Sequence, residues 1–109
     1  MDKQVSIRSY YAEICKREGL TPLPIRFETV GHGGACVSYI VGLNKPIAIC
    51  FDLKRCLDLE VGLLHEVAHQ ILLTTKGDPA QRHNAAFRKI EARLVDKYMY
   101  GDLSFKYKL

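Results

Sequence analysis

The stretch that most constrains this chain is "LLHEVAHQILL", residues 63 to 73, apolar enough to be buried yet carrying His65, Glu66 and His69 in its middle. Leu57, Val61, Leu64, Ala68, Ile71 and Leu72 recur with the period of an α-helix, Asp58 is placed to cap it, and Lys76-Gly77 to stop it. The segment is therefore predicted to be a core helix. Burying its three ionisable side chains unpaired is costly, so the fold has to supply them with partners or with a metal ion.

The spacing favours a metal. Helix positions four apart share a face, with Cβ atoms about 5 to 6 Å apart. Tetrahedral zinc with Zn–N bonds of about 2.0 to 2.1 Å needs its ligand nitrogens roughly 3.3 Å apart. His65 and His69 are thus expected to reach one ion. Glu66 lies about 100° further round the helix, beside the ion but not aimed at it, where it can take a proton from a bound water. A catalytic zinc takes three protein ligands and a water, so a third ligand is required. His83 is the preferred candidate, fourteen positions after His69 and across a turn that would bring the next helix back over the site. Glu91 is the rival, within about 80° of His83 on that helix.

The flanking sequence predicts a single α+β domain over residues 1–109. Ile7, Tyr10, Tyr11 and Ile14 mark a helix over 4–18, ended by Gly19 and kept from resuming by Pro22 and Pro24. "PIRFETV" alternates as a half-buried strand, and "GHGG" after it reads as a turn rather than a phosphate loop, since no Lys and no helix start follow. "ACVSYIV", "GLNKP" and "IAICF" form a hairpin or meander, completing a small sheet of three strands. The last helix is expected to begin near "DPAQ", with Asp78 as cap, Pro79 in the first turn and Gln81 closing a capping box. Its apolar stripe is Phe87, Ile90, Leu94 and Tyr98, and Gly101 closes it.

Composition excludes little but excludes it clearly. Hydrophobic residues at 48% and charged residues at 26% are those of an ordinary globular chain. The charge of +4 is scattered, Lys54-Arg55 and Arg88-Lys89 being only pairs, which permits nucleic-acid contact without arguing for it. The "FKYKL" tail is read as a frayed or docked terminus. A charged N-terminus without a signal-like apolar region, and no run long enough to span a bilayer, lead to the expectation of a soluble cytoplasmic protein. Cys15, Cys36, Cys50 and Cys56 form no CxxC pair and are expected to be free thiols.

The segment "LLHEVAHQILLTTKGDPAQRHNAAFRKIEARL" resembles the active-site region of the SprT-like, or Spartan-like, zinc metalloproteases, in which HExxH is followed about fourteen residues later by HGxxF. Here the two parts are "HEVAH" and "HNAAF", with Asn84 where that pattern has glycine. The resemblance implies a compact zincin-like domain, His65, His69 and His83 as zinc ligands, Glu66 as catalytic base and Phe87 in packing.

The expected function is a zinc-dependent endopeptidase acting on a protein or peptide. Its substrate is expected to lie extended along "IAICFD", and Tyr39, His32 or Tyr100 are the candidates for an oxyanion donor. The alternatives are a zinc-stabilised binding module without chemistry, and a nucleic-acid-binding protein whose histidines are incidental. Glu66 argues against the first, since a purely structural site has no use for a base.

Overall fold

The computed structural model describes residues 3–27, 35–40, 45–51, 59–76 and 83–100. Helix α1 spans Lys3–Glu18. Its end is built as the sequence suggests: Gly19 takes a positive φ of 69°, and the Leu20 amide returns to the Cys15 carbonyl at 2.9 Å. That six-to-one bond is the Schellman closure, which needs a left-handed residue at the position Gly19 fills.

Three strands follow, β1 (Ile25–Phe27), β2 (Ala35–Ile40) and β3 (Lys45–Phe51). β2 and β3 pair antiparallel, as a hairpin should, but β1 joins the far side of β3 and runs parallel to it, giving the order β1-β3-β2. The register slips between Ser38/Ala48 and Tyr39/Pro46, leaving Ile47 as the extra residue of a bulge, and Ile47 is exposed. Pro46 has no N–H to give to the ladder, and a bulge is where such a residue is tolerated. Past it, Ala48, Ile49, Cys50 and Phe51 are all buried, the pattern of a central strand covered on both faces.

β3 therefore does not receive a substrate strand, as expected above for "IAICFD". Its residues 49–51 are flanked by β1 on one side and β2 on the other. The apolar run that resembled an accessible edge is apolar because it is the middle of the sheet.

Helix α2, Leu59–Lys76, carries the HExxH motif through the centre of the molecule. Leu63, Leu64, Val67, Ala68, Leu72 and Leu73 are buried against Ile7, Tyr11 and Ile14 of α1 and Ile49 and Phe51 of the sheet. Each large apolar side chain so buried contributes about 1.5–3 kcal/mol. Helix α3, Ala85–Leu94, and the π-helical turn Val95–Met99 that continues it supply Phe87, Leu94 and Tyr98 to the same core.

The last helix starts later than the capping box at Asp78 implied. Residues 83 and 84 are non-helical, and Asn84, extended at φ −81° and ψ −174°, is the cap, its Oδ1 accepting from the Phe87 amide at 3.0 Å. The asparagine that replaces glycine in HNAAF thus has a helix-starting task of its own. Asp58, Gly77, Asp78, Pro79, Gln81, Gly101, "GHGG" and "FKYKL" lie outside the described residues, as does Cys56. Cys15 is a free, buried thiol, and Cys50 is buried. Among the described residues no helix is long and apolar enough to cross a membrane.

Candidate metal centre

Helix periodicity delivers His65 and His69 to one side of α2, as their spacing requires. The third histidine arrives from the segment just ahead of α3 rather than from within a helix. His65, His69 and His83 each bring a ring nitrogen to one place, with the ligand atoms within 4.8 Å of one another. His69 Nε2 and His83 Nε2 are 3.2 Å apart, close to the ligand-to-ligand edge of a tetrahedral zinc site. The ring centroids form a nearly even triangle, 5.0 Å from His65 to His69, 4.7 Å from His65 to His83 and 5.1 Å from His69 to His83.

One apolar residue underlies all three rings. Phe87, only 1% exposed, has its centroid 4.9 Å from His65, 4.4 Å from His69 and 4.8 Å from His83. Asn84 orients the first turn of α3, and that turn carries Phe87 under the imidazoles. The packing role implied for Phe87 is thus that of a floor, which limits how far each ring can tilt.

Burial first, then the neighbouring His65 and His83, lower the His69 pKa to about 4, so its ring is neutral at physiological pH. A neutral imidazole has one nitrogen lone pair to offer, and three histidines placed this closely could hold a metal ion of the kind that takes imidazole ligands. His65 and His83 are the solvent-facing members and His69 the buried one.

Glu91 is not a member of this convergent set. Its Oε2 lies instead 2.7 Å from His65 Nδ1. Glu91, the rival third ligand expected from the sequence, therefore pairs with a histidine of the cluster. Glu66 is buried at 3% exposure, one residue beyond His65 on the interior side of α2. Of the oxyanion candidates, His32 and the Tyr39 side chain lie outside what is described, and Tyr100 is 79% exposed just past the π-helical turn.

Gln70, the residue after His69, holds a second polar cluster. Its Nε2 donates to the Thr21 carbonyl at 2.9 Å, its Oε1 accepts from the Tyr11 hydroxyl at 2.7 Å, and that hydroxyl accepts from the Leu23 amide at 2.9 Å. A polar residue repeating within an apolar helix was the available signal; its partners, 49 and 59 positions away, were not.

Comparison of the chain with known protein families, with curated proteins and with solved structures found no match.

Proposed function

We propose that this protein is a zinc endopeptidase, similar in its site to the SprT-like metalloproteases and zincin-like in fold. The observation that carries the reading is the convergence of His65, His69 and His83 around a single point. His65, His69 and His83 would hold zinc with three protein ligands, the number usual in catalytic rather than structural sites. Zinc held there supplies a Lewis acid for a peptide carbonyl and lowers the pKa of a water to about 7.

The chain's own residues do the rest. Glu66 takes the proton of the attacking water and returns it to the leaving amine. Its burial, at 3% exposure, keeps bulk solvent from competing for that proton. Phe87 keeps the three imidazoles in register while the carbonyl approaches. The substrate lies extended along β2: among the described residues this is an edge strand, in the order β1-β3-β2, and it packs beside α2. An edge offers unpaired backbone groups to a peptide, so recognition through them depends weakly on sequence.

The test is metal analysis of the purified chain together with cleavage of an unstructured protein by wild type and Glu66→Gln. Wild type should hold one zinc per chain, and Glu66→Gln should keep the zinc while losing about 100- to 10,000-fold in kcat. Zinc-free wild type overturns the reading. Zinc-loaded wild type that cleaves no better than Glu66→Gln makes the protein a zinc-stabilised module without chemistry.

A further inference from the structure

We infer that Glu91 is a positioning residue of the metal centre, which fixes the tautomer and orientation of His65 so that its Nε2 faces the ion. The inference rests on the metal-binding reading above and concerns a residue outside the ligand set.

Three observations carry it. The Glu91 carboxylate lies 2.7 Å from His65 Nδ1, and both side chains are about one-third exposed, at 31% and 30%. With the carboxylate accepting at that distance, the ring proton sits on Nδ1 and Nε2 keeps the lone pair, the tautomer that the inference assigns. Next, the His65 ring stands edge-on to both His83 and Phe87, at 76° and 70°, so the Glu91 bond fixes the one rotation that these contacts leave soft. Finally, α3 supplies the parts of the site at a regular interval. His83 precedes the helix, Phe87 is the floor one turn later, and Glu91 is the brace one turn beyond. Positions four apart share a face, so the helix start that seats Phe87 also aims Glu91 at α2.

The rival roles differ in their chemistry. A third ligand would place its oxygen among the converging nitrogens, and Glu91 contributes no atom there. A surface ion pair would hold the two helices together without affecting the metal. A carboxylate behind a ligating imidazole raises the ring's basicity and removes its rotational freedom, which is worth about 10- to 100-fold in metal affinity.

The experiment uses the full chain as wild type, Glu91→Ala and Glu91→Gln. Zinc affinity is measured by chelator competition, the thermal midpoint without metal, and the His65 tautomer from ring 15N shifts of the metal-free protein. Glu91→Ala should bind zinc about 10- to 100-fold more weakly and move His65 away from the Nδ1–H tautomer, while its metal-free midpoint stays near wild type. Glu91→Gln, whose amide oxygen can still accept from Nδ1, should recover part of the affinity. The cobalt-substituted absorption spectrum should keep the same coordination in all three proteins.

Zinc affinity unchanged in Glu91→Ala overturns the inference, as does an Nε2–H tautomer for His65 in the metal-free wild type. A cobalt spectrum that loses a ligand in both variants overturns it in favour of direct ligation. Wild type that takes up no zinc overturns the metal reading, and this inference with it, before any variant is made. Wild type that binds zinc while Glu91→Ala binds equally well overturns this inference alone.

Discussion

His69 and Gln70 are neighbours on one helix, both buried, at 4% and 1% exposure, and their surroundings are opposite in kind. Around Gln70 donors meet acceptors: the amide donates to Thr21, accepts from Tyr11, and the tyrosine oxygen in turn accepts from Leu23. Around His69 a ring nitrogen faces another ring nitrogen at 3.2 Å, with a third histidine converging on the same point. The first cluster closes on itself and ties α2 to the segment between α1 and β1. The second brings three ring nitrogens within 4.8 Å of one another, ligands of a kind that could hold a cation. A polar cluster becomes a candidate metal site when it is built from converging ligand-type nitrogens instead of an amide and a hydroxyl.

The contrast can be broken by substitution, the largest effect being expected on the histidine side. His83→Ala should lower zinc affinity by about 100-fold or more, a ligand's share of the free energy of a metal site. Because His83 is exposed, the metal-free protein should unfold within about 0.5 kcal/mol of wild type. Chelator competition and urea unfolding measure the two effects. Equal losses in both would make the histidines a structural cluster like that of Gln70.

Gln70→Ala should behave the opposite way. It strands the Tyr11 hydroxyl and the Thr21 carbonyl and opens a small cavity, for a loss of about 2–3 kcal/mol. Zinc should still bind at wild-type stoichiometry. A variant that unfolds normally but has lost zinc would show that the two clusters are one.

The smallest effect belongs to another closed cluster, at the end of α1. Glu18, whose side chain is 7% exposed, accepts from Arg93 at 2.9 Å, Lys97 at 3.0 Å and Tyr98 at 2.6 Å. Burial pushes its carboxyl up, but the hydrogen bonds from Arg93, Tyr98 and Lys97 outweigh that and hold it at about 2, below the ordinary 4.5. A depressed carboxyl stabilises the fold fully above its unfolded pKa, and the contribution fades as pH falls from about 4.5 toward 2. Arg93 and Lys97 are 49% and 45% exposed, which reduces the expected contribution to about 1–2 kcal/mol. Urea unfolding between pH 2 and pH 7 should show this slope in wild type and a flatter one in Glu18→Gln. Equal slopes would remove Glu18 from the account of acid stability.

Much of the fold was legible because it obeys short-range rules. The helix over 4–18, its stop at Gly19 and the β2–β3 hairpin depend on periods and turns of a few residues, and they appear at Lys3–Glu18, φ 69° and the antiparallel register. The start of the last helix was misplaced because two caps competed: a capping box at Asp78 and a lone Asn84, with the structure showing the second. The strand order was not legible, since hydrophobicity marks "IAICF" as buried without saying that β1 crosses to its far side.

By itself the sequence determined the helix that runs through the core, the shared face of His65 and His69, and the presence of a third histidine and a nearby carboxylate. These follow from α-helical spacing and from side-chain chemistry. Tertiary structure alone decided that His83 joins from ahead of α3, that Glu91 meets His65 Nδ1 instead of the converging nitrogens, and that Gln70 meets Tyr11 and Thr21 while His69 meets two further histidines. The physical reason is range. Periodicity orients residues within a turn or two of helix, whereas the partners of Glu91 and Gln70 lie 26 to 59 positions away and meet only once the core has packed.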